Sequence, residues 1–142
     1  MERRHFIKSS CGYCAGVAAF SVLGPLLEGC APSNKIFKTQ RQDGMITVPL
    51  LNMEGKKYLV VREPQLEYDL LLVKENDIAF HTLAMQCTHR QSPLVATSTG
   101  LTCNEHGSRF DLDGKVLQDP ATRPLLRFTT ELRESNIIIR LS

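Results

Sequence analysis

The sequence predicts an all-β domain, an antiparallel sandwich or small barrel, preceded by an N-terminal signal segment. Short strand-like runs alternate with turn residues from Gly44 onward. No segment beyond the signal shows sustained helical periodicity. Two loops, 86–93 and 104–109, interrupt the strand pattern, and each carries one Cys and one His. Many short, closely spaced strands are typical of sandwiches and barrels.

Eight segments have the apolar content expected of strands, and explicit turn pairs such as Glu54-Gly55 and Asp113-Gly114 separate several of them. The predicted strands are 45–51, 57–62, 68–74, 78–85, 100–103, 115–117, 125–132 and 137–141. Because the two Cys/His loops each follow a strand end on adjacent hairpins, a rigid scaffold can bring them together.

Length and net charge limit the functions that the chain can have. A chain of 142 residues has room for one domain, and 42% apolar with 23% charged residues is ordinary for a folded one. The net charge of +2 is too small to indicate binding to nucleic acid. We therefore expect no nucleic-acid partner.

Residues 1–30 are predicted to be an export signal. Arg3-Arg4-His5-Phe6-Ile7-Lys8 precedes a weakly apolar stretch rich in Ala, Gly and Ser. This string resembles the twin-arginine signal, whose route exports proteins already folded around their cofactors. The prediction places the protein in the periplasm or on the outer face of the membrane.

The end of this signal resembles a bacterial lipobox, Leu27-Glu28-Gly29-Cys30. Glu28 departs from that motif, which has a small or apolar residue there. A lipidated Cys30 would attach the protein to the membrane through its N-terminus. The alternatives are a signal that is cleaved, or retained as an anchor, with Cys30 unmodified. Residues 31–43 are predicted to be a tether, and residues 44–142 the folded domain.

The chemistry lies in two ligand pairs, Cys87-x-His89 and, after thirteen residues, Cys103-x-x-His106. Two thiolates and two imidazoles can hold zinc or an iron–sulfur cluster. A single residue between Cys87 and His89 fits zinc fingers poorly, because their paired ligands are usually two to four residues apart. A two-iron cluster needs one ligand to each iron from each loop, and one Cys and one His per loop meets that need. His81 lacks such neighbours and is interpreted as a hydrogen-bonded strand residue.

The two loops, Cys87-Thr88-His89 and Cys103-Asn104-Glu105-His106-Gly107-Ser108-Arg109-Phe110, resemble the cluster loops of Rieske proteins. The segment 120–125 resembles the proline loop that covers the cluster in that family. The resemblance runs from about residue 45 to residue 141. It implies a Rieske-type fold, a [2Fe–2S] cluster and one-electron transfer, with the cysteines on the inner iron and the histidines on the outer one.

Two departures from the family pattern concern the loops. Respiratory Rieske proteins carry an extra cysteine in each loop, joined as a disulfide, whereas these positions match Ser92 and Glu105 here. High-potential members also place Ser and Tyr hydroxyls near the cluster sulfurs, which stabilises the reduced state. Ser108 matches the serine as a cofactor-binding residue, and Phe110 replaces the tyrosine. The pattern predicts a reduction potential in the middle of the Rieske range, about −150 to +300 mV.

We expect an exported, membrane-attached electron carrier, or a redox subunit of a quinol-oxidising or periplasmic oxidoreductase complex. Its partners would be redox proteins or a membrane quinol. No set of catalytic residues is visible, so an electron-transfer protein is favoured over a stand-alone enzyme. One alternative is a Rieske ferredoxin that delivers electrons to an oxygenase. Another, of a different class, is a zinc-binding structural module.

Replacing both Arg3 and Arg4 by lysine is expected to leave most of the protein in the cytoplasm with its cluster, because the twin-arginine route depends on the arginine pair. Fractionation of cells that produce the full chain, followed by immunoblotting, measures the exported share. Arg41→Lys, outside the signal, is the control and should be exported normally. Normal export of the Arg3/Arg4 variant would rule out the twin-arginine route.

Overall fold

The computed structural model describes residues 36–141, and the predicted signal and the first five residues of the predicted tether, 31–35, lie outside them. The described part contains eleven strands and a short 3-10 helix, Leu50–Met53. The strands are β1 (Phe37–Lys38), β2 (Met45–Pro49), β3 (Tyr58–Arg62), β4 (Leu70–Lys74), β5 (Phe80–Ala84), β6 (Leu94–Thr97), β7 (Gly100–Cys103), β8 (Arg109–Phe110), β9 (Val116–Gln118), β10 (Arg127–Arg133) and β11 (Asn136–Arg140). No helix within residues 36–141 is long and apolar enough to cross a membrane.

Each predicted strand overlaps an observed one, and the all-β fold class is confirmed. The strand predicted over 45–51 ends at Pro49, where the chain turns into the 3-10 helix. Three observed strands are absent from the prediction. β1 lies in the segment predicted as a tether, β8 begins inside a predicted loop, and β6 follows Pro93. β1 and β8 are two residues long, too short to show the alternation that identifies a strand.

The strands form two sheets. The larger has the order β1-β3-β4-β5-β10-β11-β2, and the smaller has the order β6-β7-β8-β9. Only the β1–β3 pair is parallel among the pairs of the described chain. β5 and β10 are direct neighbours in the larger sheet, with Leu83 opposite Arg127. The smaller sheet is therefore an insertion between two paired strands of the larger one.

The central strands of the larger sheet are buried on both faces, because each separates two hydrophobic cores. Along β4, Leu70 and Leu72 enter one core while Leu71 and Val73 enter the other, as the two-residue period of a strand requires. We call the first the base core: Ile46, Val48, Met53, Leu59, Val61, Leu70, Leu72, Phe80, Ile137 and Ile139. The second is the loop-side core: Val60, Leu71, Val73, Leu83, Met85, Cys87, Leu94, Leu101, Cys103, Phe110, Ala121 and Leu125. Burial on both faces explains the uninterrupted apolar run of β4.

The smaller sheet orients both Cys/His loops in the same direction. Leu94, the first residue of β6, lies opposite Cys103, the last residue of β7. The loop before β6 and the loop after β7 therefore leave the sheet at the same end. Gly100 allows β7 to approach β8 closely, since a Cβ atom there would lie 2.0 Å from the carbonyl oxygen of Phe110.

A buried histidine joins the two sheets. His81 of β5 is 2% exposed, and its Nδ1 lies 2.7 Å from Oε1 of Glu75. Its Nε2 lies 2.8 Å from the carbonyl oxygen of Leu112, beyond β8 of the smaller sheet. Arg127 of β10 donates to the same Glu75 oxygen at 2.6 Å. His81 is thus a hydrogen-bonded strand residue, as predicted. The hydrogen bond between His81 and Glu75, and to a smaller extent the one from Arg127, lowers the pKa of the Glu75 carboxyl.

Because the folded pKa of Glu75 is lowered, this carboxylate stabilises the fold fully above pH 4.5, its ordinary pKa, and the contribution is lost as the pH falls through the folded pKa. The Tm difference between the wild type and Glu75→Gln is therefore expected to narrow as the pH falls from about 6 towards about 3. Thermal unfolding at a series of pH values measures it. Glu67→Gln, an exposed carboxyl on another turn, is the control. A Tm difference for Glu75→Gln that stays constant or widens on acidification would contradict the expectation.

Candidate functional site

The two Cys/His loops are built on the same backbone turn. The N–H of Cys87 donates to the carbonyl of Ser92, and the carbonyl of Cys87 accepts from the N–H of Gln91, both at 2.8 Å. In the second loop, Cys103 makes the same pair of bonds with residues five and four positions further along, Ser108 and Gly107, at 2.8 and 3.0 Å. The residue four positions after each cysteine has a positive φ, 59° in the first loop and 81° in the second. Two matching turns therefore hold the two cysteines in equivalent surroundings.

Both cysteines are buried, unpaired and in the same core. Cys87 and Cys103 are each 1% exposed, and neither forms a disulfide. They belong to the loop-side core, where the large apolar side chains Leu83, Phe110 and Leu125 also pack. The fold thus brings the two predicted thiol ligands into one dry interior region.

The two histidines lie nearer the surface. The rings of His89 and His106 are 5.0 Å apart between centroids and meet edge to face, at 86°. His106 is exposed, whereas His89 is half-buried. Nδ1 of His89 is buried and has no hydrogen-bond partner, the one such side-chain atom in residues 36–141. A buried nitrogen without a partner is costly unless something else binds it, so this atom identifies a position for a ligand.

Side-chain bonds tie the loops to each other and to segment 120–125. Oγ of Ser92, which is 7% exposed, donates to Oε2 of Glu105 at 2.6 Å, joining the first loop to the second. Oγ1 of Thr88 donates to the carbonyl of Arg123 at 2.7 Å, and the N–H of Ala121 donates to Oγ of Ser108 at 3.0 Å. Segment 120–125 is therefore attached to both loops, as the predicted covering loop requires.

The predicted residues Ser108 and Phe110 are both in the interior. Ser108 is fully buried, and Phe110 is 1% exposed in the same core as the cysteines. Sequence reasoning missed Thr88 and Arg123, which close the site from one side. The position of Thr88 between two predicted ligands was the available signal. Arg123 lies in segment 120–125, whose resemblance to the proline loop was the available signal, but nothing local indicated its bond to Thr88, 35 residues away.

The described residues do not form a site for a single metal ion. Within residues 36–141, no three His, Cys, Asp or Glu side chains converge on one point that could hold such an ion. The predicted ligands instead form two pairs, one buried and sulfur-bearing, the other at the surface and nitrogen-bearing. A two-iron cluster takes its protein ligands at two metal positions, with sulfur on one and nitrogen on the other in Rieske centres.

An all-β scaffold in which two loops, the β5–β6 connection and the β7–β8 hairpin, each present one Cys and one His at the same end of a sheet indicates an iron–sulfur class of protein. A family model described as the Rieske [2Fe-2S] domain matches residues 48–131, more than half of the chain. The chain belongs to the Rieske [2Fe–2S] family. Its cofactor is a [2Fe–2S] cluster and its chemistry is electron transfer, so the alternative of a zinc-binding module is wrong.

Known proteins resemble the chain at the level of sequence and fold. The cytochrome b6-f complex iron-sulfur subunit of Chlorobaculum tepidum is 24% identical over 99% of this chain and 76% of its own length. The plasma-membrane Rieske protein PetC3 of Synechocystis PCC 6803 has a TM-score of 0.57 and 24% identity, over 67% of this chain and 98% of its own. The ferredoxin of carbazole 1,9a-dioxygenase from Nocardioides aromaticivorans IC177 has a TM-score of 0.50 and 17% identity, over 68% and 95%. At these identities the structural matches support the fold alone.

Proposed function

We propose that Cys87 and Cys103 bind one iron of the cluster and that His89 and His106 bind the other. The observation that carries this proposal is the pairing of two buried thiols with two imidazoles that lie nearer the surface, one half-buried and one exposed, supplied by matching turns. The unpartnered Nδ1 of His89 is the atom available to bind iron. Its Nε2 then remains as the outer nitrogen, which can hold or release a proton.

The cluster supplies one-electron transfer, and the chain's own residues decide where the electron enters and leaves. The loop-side core keeps water away from the cysteine side. Thr88 and Ser108 bond segment 120–125 to the two loops. The exposed ring of His106 leaves the histidine side accessible to a partner. Electrons would therefore pass at this edge of the domain.

Ser108 is proposed to tune the reduction potential. Its Oγ accepts the N–H of Ala121, so its own proton is available to donate to a sulfur nearby. A hydrogen bond to a cluster sulfur favours the reduced, more negative state. Phe110 occupies the same core but offers no hydroxyl. Because the hydroxyl of Ser108 is retained and Phe110 supplies none, we propose a potential in the middle of the Rieske range.

We further propose that the protein is an exported, membrane-attached electron carrier or a redox subunit of a quinol-oxidising or periplasmic oxidoreductase complex. Two features support this role. The N-terminal residues 1–30 have the pattern of an export signal ending in a candidate lipidation site, Cys30. In addition, the alignment with the cytochrome b6-f subunit extends over nearly the whole chain. The partners would be a membrane quinol or another redox protein.

A second candidate is a ferredoxin that serves an oxygenase. The chain has no cysteine in either loop beyond the two ligands, as in those ferredoxins, and a dioxygenase ferredoxin shares its fold. A ferredoxin that serves a cytoplasmic oxygenase would need no export signal. Efficient export of the wild type, in the same fractionation that tests Arg3 and Arg4, would favour the membrane role, and cytoplasmic retention of the wild type would favour the ferredoxin.

Cys103→Ala is expected to abolish the Rieske signal in electron paramagnetic resonance spectra of the reduced protein, and His106→Cys to alter it strongly. Both variants should also fold poorly, because cluster binding and folding are coupled. Cys30→Ala, which removes a cysteine outside the domain, is the control and should retain the wild-type spectrum. An unchanged spectrum in Cys103→Ala would refute the ligand assignment.

Phe110→Tyr is expected to raise the midpoint potential, and Ser108→Ala to lower it by a similar or larger amount. A hydrogen bond to a charged group contributes about 1.5–3 kcal/mol, and we assign about a third of it to the difference between the redox states. At about 59 mV per 1.4 kcal/mol, this corresponds to roughly 20–45 mV for Phe110→Tyr. Redox titration of both variants at one pH measures the shifts. An unchanged or lower midpoint in Phe110→Tyr would mean that its ring does not face a cluster sulfur.

A further inference from the structure

Ser92 and Glu105 occupy special positions in the two loops. Ser92 supplies the carbonyl that accepts the N–H of Cys87, so it closes the first turn. Glu105 lies between Cys103 and His106 in the second loop. The bond of 2.6 Å between Ser92 Oγ and Glu105 Oε2 therefore connects the closing residue of one turn with the centre of the other.

We propose that the Ser92–Glu105 hydrogen bond is a positioning contact that holds the two cluster loops at the separation the cluster needs. This inference rests on the proposed ligand set. Ser92 is buried whereas Glu105 is exposed, and a short hydrogen bond to a carboxylate is stronger than one between neutral groups. Ser92 is five residues after Cys87, and Glu105 is two residues after Cys103. Each of them lies in the short backbone turn of its own cysteine. A change in their separation therefore moves the ligands.

The Ser92–Glu105 hydrogen bond also differs chemically from a disulfide between the two loops. A hydrogen bond between a hydroxyl and a carboxylate is unaffected by thiol reductants, whereas a disulfide is opened by them. In addition, the carboxylate places a negative charge between two ligand residues. A negative charge there opposes the addition of an electron, so Glu105 lowers the midpoint potential while it holds the loops.

Two pairs of variants separate the hydrogen bond from the charge. Ser92→Ala removes the donor, whereas Ser92→Thr keeps a hydroxyl. Glu105→Ala removes both the acceptor and the charge, whereas Glu105→Gln keeps an acceptor oxygen and removes only the charge. Thr97→Val is the matched control, because Thr97 donates a hydroxyl bond to the Gly100 carbonyl in the β6–β7 hairpin, away from the loops.

The holoprotein is tested by the rate of cluster loss to an iron chelator, by electron paramagnetic resonance and by redox titration. Ser92→Ala and Glu105→Ala should lose the cluster about tenfold faster, which corresponds to about 1.4 kcal/mol, with broadened or shifted g-values. Ser92→Thr should retain the wild-type rate and spectrum. Glu105→Gln, which keeps a weaker, neutral hydrogen bond, should lose its cluster at a rate between those of the wild type and Glu105→Ala. Glu105→Gln and Glu105→Ala should both raise the midpoint.

The outcomes keep this inference distinct from the ligand assignment. If the wild type shows no Rieske spectrum, the ligand assignment itself fails. If the wild type shows the spectrum but Ser92→Ala matches Thr97→Val in cluster loss and g-values, the positioning role is overturned. A Glu105→Gln variant that loses its cluster as fast as Glu105→Ala would equally overturn it, because the charge rather than the hydrogen bond would then hold the loops.

Discussion

Two thiols must reach one buried region from two different loops, and the construction of the smaller sheet meets that requirement. The pairing of Leu94 with Cys103 sends both loops out of the same end of the sheet. In each loop, two backbone hydrogen bonds to the cysteine fix the position of its backbone without any contribution from side chains. The histidines follow two and three residues later, at the rim. A slip of one residue between β6 and β7 would move Cys103 to the opposite face and destroy the arrangement.

The candidate site was largely predictable from sequence, because its information is local. Ligand type and spacing predict Cys87, His89, Cys103 and His106 as the ligands without knowledge of the fold. The structure places the two cysteines in one core and the two histidine rings 5.0 Å apart. The contacts that support these loops were not predictable. The bond between Thr88 and the Arg123 carbonyl joins residues 35 positions apart, so it depends on how separate segments pack. The likeness of the two cysteine turns also escaped the sequence, since one uses a glutamine where the other uses a glycine.

The fold likewise divides into local patterns, which the sequence predicted, and contacts between distant segments, which it did not. The apolar runs of β3 and β4 predicted strands correctly, because such runs extend over whole strands. What the sequence could not show is that alternate residues of these strands belong to different cores, since both cores demand the same residue types. The strands that escaped prediction are β1, β6 and β8, and β1 and β8 are defined only by their pairing partners. Pairing is a property of the assembled sheet, and a two-residue segment carries no periodicity that could reveal it.

The matching turns have a consequence for the energetics of charge transfer. The peptide groups of Cys87 and Cys103 are already committed to bonds within their own turns, and the hydroxyl oxygen of Ser108 is held by the N–H of Ala121. Under the proposed ligand assignment, dipoles held in this way reorient little when the charge of the cluster changes by one unit, so they add little to the reorganisation energy. The apolar side chains around them have no dipoles to turn. Most of the rearrangement that accompanies a change of oxidation state is therefore left to water at the histidine rim.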